Sequence, residues 1–234
     1  MHRIAIVSKD HSWRVGVRRA AATYGFRYDG KRPELVLTFG GDGTLLHAER
    51  LYPGVPKLPL KLSPTCRKCH DHPYEHALDM VRQRRFRRES SLKLEATVER
   101  RGRRTVKMAC LNDFILRNRN LQHAIRFSLS TQKRRFPLLI GDGVVVCTPF
   151  GSTAYFHSIT KRSFRRGIGI AFNNVTLPAR HLILPESGIV SLKVFRGPAE
   201  FAADNRRLPG LLGEGDTVRI RRSPLNATLL RLDA

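Results

Sequence analysis

No stretch of the sequence approaches the roughly 20 consecutive apolar residues that a membrane-spanning helix requires, so no membrane partner is expected. The apolar run in Met1-His2-Arg3-Ile4-Ala5-Ile6-Val7-Ser8 is too short for a signal peptide and no small-residue cleavage site follows it; a buried strand is expected instead. Cysteine is scarce. Cys66, Cys69, Cys110 and Cys147 are too few and too unevenly placed for a secreted disulfide scaffold, which makes a cytoplasmic protein with reduced thiols the expectation. Internal repeats and low-complexity linkers are also missing. With 41% hydrophobic and 26% charged residues, the 234-residue chain has globular rather than disordered or collagen-like composition. The largest deficit is in acid: 19 Asp and Glu stand against 43 Lys and Arg, for a net charge of +24. A field of that sign draws nucleotides, nucleic acid and anionic surfaces alike, so it specifies an anionic partner and nothing narrower.

The first third alternates strand-like and helix-like segments. Ile4 to Val7 is a continuous apolar run suited to a strand covered on both faces. Residues 11–24 place Trp13, Val17, Ala20, Ala21 and Tyr24 at helical spacing, and Gly25 supplies a stop. A second buried strand, Leu35-Val36-Leu37-Thr38-Phe39, runs into Gly40-Gly41-Asp42-Gly43-Thr44, followed by a helix through Leu51. A third strand near Leu58 to Leu62, a polar loop and a helix from about Tyr74 to Phe86 complete the region. This order predicts a parallel sheet with helices on both faces. After Arg88 the period falls to two, with Leu92, Leu94, Ala96 and Val98 alternating with polar residues, and short strand-like runs continue to residue 221. The predicted class is therefore α/β, with an open parallel sheet over residues 1–88 and a β-rich, sandwich-like domain over 89–225. The last strand, within 226–234, is expected to return to the first domain.

The glycine pentapeptide lies where an open parallel sheet places its ligand, at the carboxyl end of a strand and the start of a helix. Glycines at 40, 41 and 43 can take positive φ and carry no Cβ, so backbone amides can approach phosphate oxygens, aided by the positive end of the helix dipole. Asp42 conflicts with simple anion binding, because a carboxylate repels phosphate. It fits if it binds a metal, holds a hydroxyl or takes a proton from an attacking group; a tight turn with an Asp cap is the plainer alternative. No Lys follows the glycines, so this is not a Walker loop.

A second segment, Thr148-Pro149-Phe150-Gly151-Ser152-Thr153-Ala154-Tyr155, is preceded by Gly141-Asp142-Gly143. With Leu111-Asn112-Asp113 and the late Gly215-Asp216-Thr217-Val218, these motifs follow one another in an order that resembles the NAD kinase family. The glycine loop alone is shared with diacylglycerol, sphingosine and phosphofructo-kinases; the Gly-Ser-Thr-Ala-Tyr segment narrows the resemblance to NAD kinases. The resemblance implies transfer of the γ-phosphoryl of ATP, or a phosphoryl of polyphosphate, to the 2′-hydroxyl of NAD's adenosine ribose, with Mg2+ accompanying ATP. Asp42 would take or orient the hydroxyl proton, and Gly40, Gly41, Gly43 and Thr44 would hold phosphates. Asn112, Asp113, Phe150, Ser152, Thr153, Ala154 and Tyr155 would bind the adenosine half of NAD. Asp142 would face the nicotinamide end, in many members from a neighbouring subunit, so a homo-oligomer is implied.

The sequence departs from the family in four places. Phe150 replaces a small hydroxyl residue, Asp113 is one methylene shorter than the family's Glu, and Asp204-Asn205-Arg206 stands for Asp-Gly-Gln. Ser63-Pro64-Thr65-Cys66-Arg67-Lys68-Cys69 replaces a Gly-x-Leu-Gly-Phe stretch near the substrate. A kinase of the same fold with another nucleoside or a lipid as acceptor is the alternative these departures raise; a non-catalytic nucleotide or RNA binder is the alternative the charge raises. Cys66, Cys69 and His72, with His70 and His76 nearby, have the residue types of a zinc site. A plain loop is the favoured reading of that cluster, with zinc or a redox pair behind it. The arginine runs at 82–88, 100–104, 133–135 and 161–166 lack interleaved aromatics apart from Phe86 and Phe164, and read as solvated surface before nucleic-acid contact. From Lys161 to Arg166, some cations are expected to reach a phosphate.

Overall fold

The computed structural model describes residues 2–8, 10, 12–62, 66, 68–177 and 181–233, without the side chains of 12–14. The side chain of Trp13, and Ser63, Pro64, Thr65 and Arg67, all singled out above, lie outside the described residues. The chain divides into two compact units, residues 1–91 with 225–234, and residues 92–224.

The first unit runs β1 (Arg3–Ser8), α1 (Ser12–Thr23), β2 (Arg27–Tyr28), β3 (Leu35–Gly40), α2 (Asp42–Leu51), β4 (Lys57–Lys61), α3 (Tyr74–Arg82) and β5 (Phe86–Ser91). The second unit contributes β6 (Leu94–Glu99), β7 (Val106–Cys110), β8 (Asp113–Asn118), β9 (Ile125–Ser130), β10 (Arg135–Cys147), α4 (Tyr155–Thr160), β11 (Ile168–Val175), β12 (Leu182–Leu184), β13 (Val190–Arg196), β14 (Ala199–Ala203), β15 (Arg206–Arg207) and β16 (Thr217–Arg222). The chain then closes with β17 (Ala227–Leu232), a strand of the first unit.

Strands of the first unit lie in the order β2-β1-β3-β4-β17-β5. Pairing is parallel from β2 through β17, and only β5 runs antiparallel, at the edge. The continuous apolar runs are explained by cover on both faces. Ile4, Ile6, Leu35 and Leu37 pack with Val17 and Ala21 of α1 and Ala77, Leu78 and Val81 of α3. Ala5, Val7 and Val36 face the other way, onto Ala48 of α2. The helix expected to reach Phe86 ends at Arg82 instead, and Arg84 takes φ +60 to turn the chain into β5. Arginine-rich composition hid this strand, yet charge is how an edge strand avoids pairing with other chains.

An unanticipated feature is Lys57 on β4, fully buried and ion-paired with buried Glu49 of α2. Its ammonium also donates to the Tyr52 carbonyl at 2.7 Å, so this charge is paired and hydrogen-bonded rather than solvated.

The second unit is built on one eleven-stranded sheet in the order β15-β14-β8-β10-β9-β13-β16-β6-β7, with β11 joined to β10 and β12 to β11. Every pairing is antiparallel. Inward residues such as Leu94, Phe114, Phe127, Leu139, Ile170, Leu192 and Phe201 form its larger apolar core, and Val145, Ala171 and Phe156 belong to a smaller one. The hairpin of β14 and β15 gave no strand signal, because Ala199-Glu200-Phe201-Ala202-Ala203 has no β-branched residue and carries a charge. Glu200 is nevertheless buried there, surrounded by Arg117, Arg119 and Arg207. Burial pushes its carboxyl up, but the three guanidiniums prevail and hold it below the usual range. Among the described residues, no helix is long and apolar enough to cross a membrane.

Candidate functional site

The glycine turn of the first unit follows directly from β3. Gly40 takes φ +154, in the region that favours glycine, and a Cβ there would collide with the Thr44 hydroxyl. Gly40 alone of the three glycines has this conformation: Gly41 is extended at φ −109, ψ −169, and Gly43 is helical. The helix begins at Asp42 rather than near Thr44. Asp42 therefore sits in its first turn, where a carboxylate interacts favourably with the dipole, and its side chain is solvent-accessible. The Thr44 and Leu45 amides are bonded back to the Gly41 carbonyl at 2.9 and 3.4 Å. Thr44 is 3% exposed, so its hydroxyl packs over Gly40 and the accessible groups of this turn are the backbone and Asp42.

Next to Asp42 lies the stretch in which the sequence departs most. Cys66 and Cys69 are joined as a disulfide. Cys66 Sγ is 3.2 Å from Asp42 Oδ1, and Cys69 Sγ is 3.7 Å from the Gly40 carbonyl oxygen. Among the described residues, Asp42, Cys66 and Cys69 are the one group of three metal-ligating types that converges. The zinc set that the sequence offered as a less favoured alternative, Cys66 and Cys69 with His72, does not assemble among the described residues. His72 instead neighbours His70 and His76, with ring centroids 6.3 and 5.3 Å away, and the His70 ring bonds the Leu230 carbonyl at 3.0 Å. The His70 backbone is engaged in the Leu60–His70 bridge and its ring on β17.

In the second unit, two sequence motifs are clipped together. Buried Thr148 donates its hydroxyl to the Leu111 carbonyl at 2.6 Å, its amide to the Asn112 carbonyl at 2.9 Å, and accepts from the Gly151 amide at 3.0 Å. A Cβ on Gly151 would overlap the Asn112 backbone, so only glycine permits this approach. Asn112, Asp113 and the 148–155 segment thus share one locale. Ser152 is buried, and its hydroxyl is engaged with the Pro149 and Phe164 carbonyls at 2.8 and 3.1 Å, which makes it a brace. Thr153 is exposed, while Phe150, Ala154 and Tyr155 are half-buried. Tyr155 opens α4, its phenol accepting from Asn173 at 3.2 Å. Asp142, on β10, is held by the amides of Asn118 at 3.3 Å and Asn174 at 3.0 Å. Lys161 ends α4 with φ +56 and donates to the Ser158 carbonyl, so this cation of the basic run serves its own helix.

Asp204, in sequence only a departure from the family, is the anchor of the locale. Its carboxylate accepts from the amides of Leu111, Asn112 and Asp113 at 3.0, 2.7 and 3.3 Å, and its own amide donates to the Asp113 carbonyl. The positive φ of the β14–β15 turn falls on Asp204 itself, at +52, not on Asn205. In the sequence its role is visible only as an acid at the turn of a hairpin that carries no strand signal.

Burial, then the nearby Asp204 charge, pushes the Asp113 carboxyl from 3.8 up to about 7. Asp204 is also raised by burial, against the pull of its three amides and Lys93. A carboxyl raised on folding stabilises the fold while it holds its proton. That contribution is complete below about pH 4 and is lost as pH climbs through about 7. Asp113→Asn should therefore raise the melting temperature at pH 8 and leave it nearly unchanged at pH 4, with Asp204 supplying a residual slope. Thermal melts of both proteins across that range check this, and equal stabilisation at both pH values would contradict it.

No family model matches the chain. An NAD kinase of Azoarcus sp. (strain BH72) is 31% identical over 219 residues, covering 86% of this chain and 71% of that protein. An NAD kinase of Symbiobacterium thermophilum is 30% identical over 211 residues, covering 85% and 74%. Among solved structures, yeast NADH kinase complexed with NADH is similar with a TM-score of 0.85 at 18% identity, over 98% of this chain and 83% of that one. An NAD kinase from Archaeoglobus fulgidus in complex with ATP is similar with a TM-score of 0.80 at 16% identity, over 98% and 94%. At those identities the structural likeness shows the fold.

Proposed function

The chain belongs to the NAD kinase family, and we propose that it transfers a phosphoryl group from ATP to the 2′-hydroxyl of NAD's adenosine ribose, giving NADP. The observation that carries this reading is Asp42, a solvent-accessible carboxylate in the first turn of α2, directly after the Gly40 turn. Backbone amides of Gly41 and Gly43 and the helix dipole favour the donor's phosphates. Asp42 orients the acceptor hydroxyl and receives its proton as the oxygen attacks phosphorus. Asn112 offers both a donor and an acceptor to the adenine, and Asp113 accepts from ribose hydroxyls. Thr153, Ala154 and Tyr155 line the adenosine side, and Phe150 replaces a lost hydrogen bond by stacking on a base. Asp142 meets the nicotinamide half.

ATP is used with a divalent cation. Asp42 supplies one hard oxygen, which fits magnesium shared between a carboxylate and phosphates, whereas disulfide sulfurs do not ligate a hard ion. When bound, the cation neutralises charge on the phosphoryl group. The same reading makes the protein cytoplasmic and homo-oligomeric. An acceptor other than NAD, or simple nucleotide or RNA binding, is disfavoured by the relatives, which are NAD kinases.

The direct test incubates the protein with NAD, magnesium and either ATP or polyphosphate and measures NADP with an NADP-specific dehydrogenase. Product from at least one donor supports the reading. A folded protein that yields none with either donor defeats it.

A further inference from the structure

We propose that Cys66 and Cys69 form a thiol–disulfide modification site that governs the availability of the Asp42 carboxylate, a regulation that rests on the phosphoryl-transfer reading above. Three observations converge. The cysteines are bonded to each other, and one sulfur lies 3.2 Å from Asp42 Oδ1 while the other lies 3.7 Å from the Gly40 carbonyl. Cys66 is buried at 7% exposure, whereas Cys69 is only half-buried, so Cys69 is the more accessible of the two and Cys66 lies against the carboxylate. The chain beside Cys69 is tied down independently of the disulfide: the His70 amide donates to the Pro59 carbonyl at 2.7 Å, and the Lys61 amide donates to the His70 carbonyl at 2.9 Å. Reduction therefore leaves the Cys69 end of the pair beside the glycine turn.

The chemistry at Asp42 differs between the two states. A disulfide sulfur carries no proton and no charge, so Asp42 Oδ1 keeps its acceptor capacity for an incoming hydroxyl. A Cys66 thiol that stays within reach of that oxygen donates an S–H hydrogen bond to it and competes for it, and a thiolate would place a like charge against it. Reduction is thus expected to slow transfer. Cys110 and Cys147 do not compete in the exchange, because both are buried and burial holds their thiols well up, in the inert protonated form.

The exchange balances with a low-molecular-weight disulfide, R–S–S–R, as oxidant. The Cys69 thiolate attacks one R sulfur, the S–S bond breaks and one thiolate leaves. Cys66 then attacks the Cys69 sulfur of the mixed disulfide and expels the second. Two electrons pass from the cysteines to the reagent, and the two cysteine protons end on the two released R–SH molecules.

The test uses the full chain, treated with reduced dithiothreitol or with oxidised glutathione and then freed of reagent. Alkylation in denaturant followed by mass measurement should find two more reactive cysteines in the reduced form. NADP formation should be roughly tenfold slower in that form, with the loss in kcat, as expected for a weak donor bonded to a charged acceptor. The Cys66→Ala/Cys69→Ala double variant should show no response to either reagent. Equal rates in the two states of the unmodified chain, or a response that persists in the double variant, would overturn the proposal. So would recovery of the reduced protein's rate after treatment with a zinc chelator, since that would assign the effect to a metal on Asp42 and the thiols. If neither form makes NADP, the functional reading fails. The switch is then judged by the melting shift that magnesium–ATP induces: unequal shifts in the two redox states support it and equal shifts overturn it.

Discussion

Asp42→Asn should lower NADP formation by roughly 10²- to 10⁴-fold while the protein melts within a few degrees of its original temperature. The substitution preserves shape. It removes the one group at the glycine turn that can accept a proton from the attacking hydroxyl, and an amide oxygen has negligible basicity by comparison. The structural cost is small, because an acid in the first turn of a helix contributes only about 0.3–1 kcal/mol through the dipole. KM for NAD should change far less than kcat, since adenosine recognition is assigned to Asn112, Asp113 and the 153–155 segment. Steady-state kinetics with a coupled NADP assay would separate these quantities. Retention of more than a tenth of the wild-type kcat would show that Asp42 is not the proton acceptor, whatever else the turn does.

Lys57→Ala should strongly destabilise the first unit. Lys57 is fully buried and Glu49 is 2% exposed, so removing the ammonium takes away a buried charge paired with the Glu49 carboxylate. Breaking a buried pair in this way costs about 3–5 kcal/mol, a drop in melting temperature on the order of 10 °C or more. A further small loss comes from the hydrogen bond to Tyr52. The companion experiment is Lys57→Met with Glu49→Leu, which removes both charges at similar volume. Its stability should lie within about 1–2 kcal/mol of the original, because an apolar pair avoids desolvating two ions. Urea or thermal denaturation followed by circular dichroism measures both. If the single variant is as stable as the double, the buried pair is not what holds α2 to β4. Since α2 begins at Asp42, the single variant is also expected to disturb the glycine turn.

Much of the first unit could be read from periodicity. Continuous apolar runs at Ile4–Val7 and Leu35–Phe39 suit strands covered on both faces, and glycine after such a strand marks a turn that a side chain would block. The curated relatives and the fold bear out the family that the ordered motifs indicated. Other features left no local trace. Edge strand β5 is written in arginine, serine and glutamate, and β14 in alanine and one buried acid, so neither shows the alternation on which strand recognition depends. Only pairing with β17 and β8 makes them strands, and such pairing joins residues far apart in sequence.

Sequence alone determined which chemistry is present: a carboxylate among glycines, an amide followed by an acid, and a Gly-Ser-Thr-Ala-Tyr segment. Tertiary structure decided which groups meet. It set Thr148 and Gly151 against Asn112, brought Asp204 under three amides more than 90 residues away in the chain, placed Cys66 rather than His72 against Asp42, and buried Lys57 with Glu49. The division follows from range. Residue type and spacing specify what a short segment can do by itself, whereas burial, and with it the shifted ionisation of Asp113, depends on what the rest of the chain folds over it.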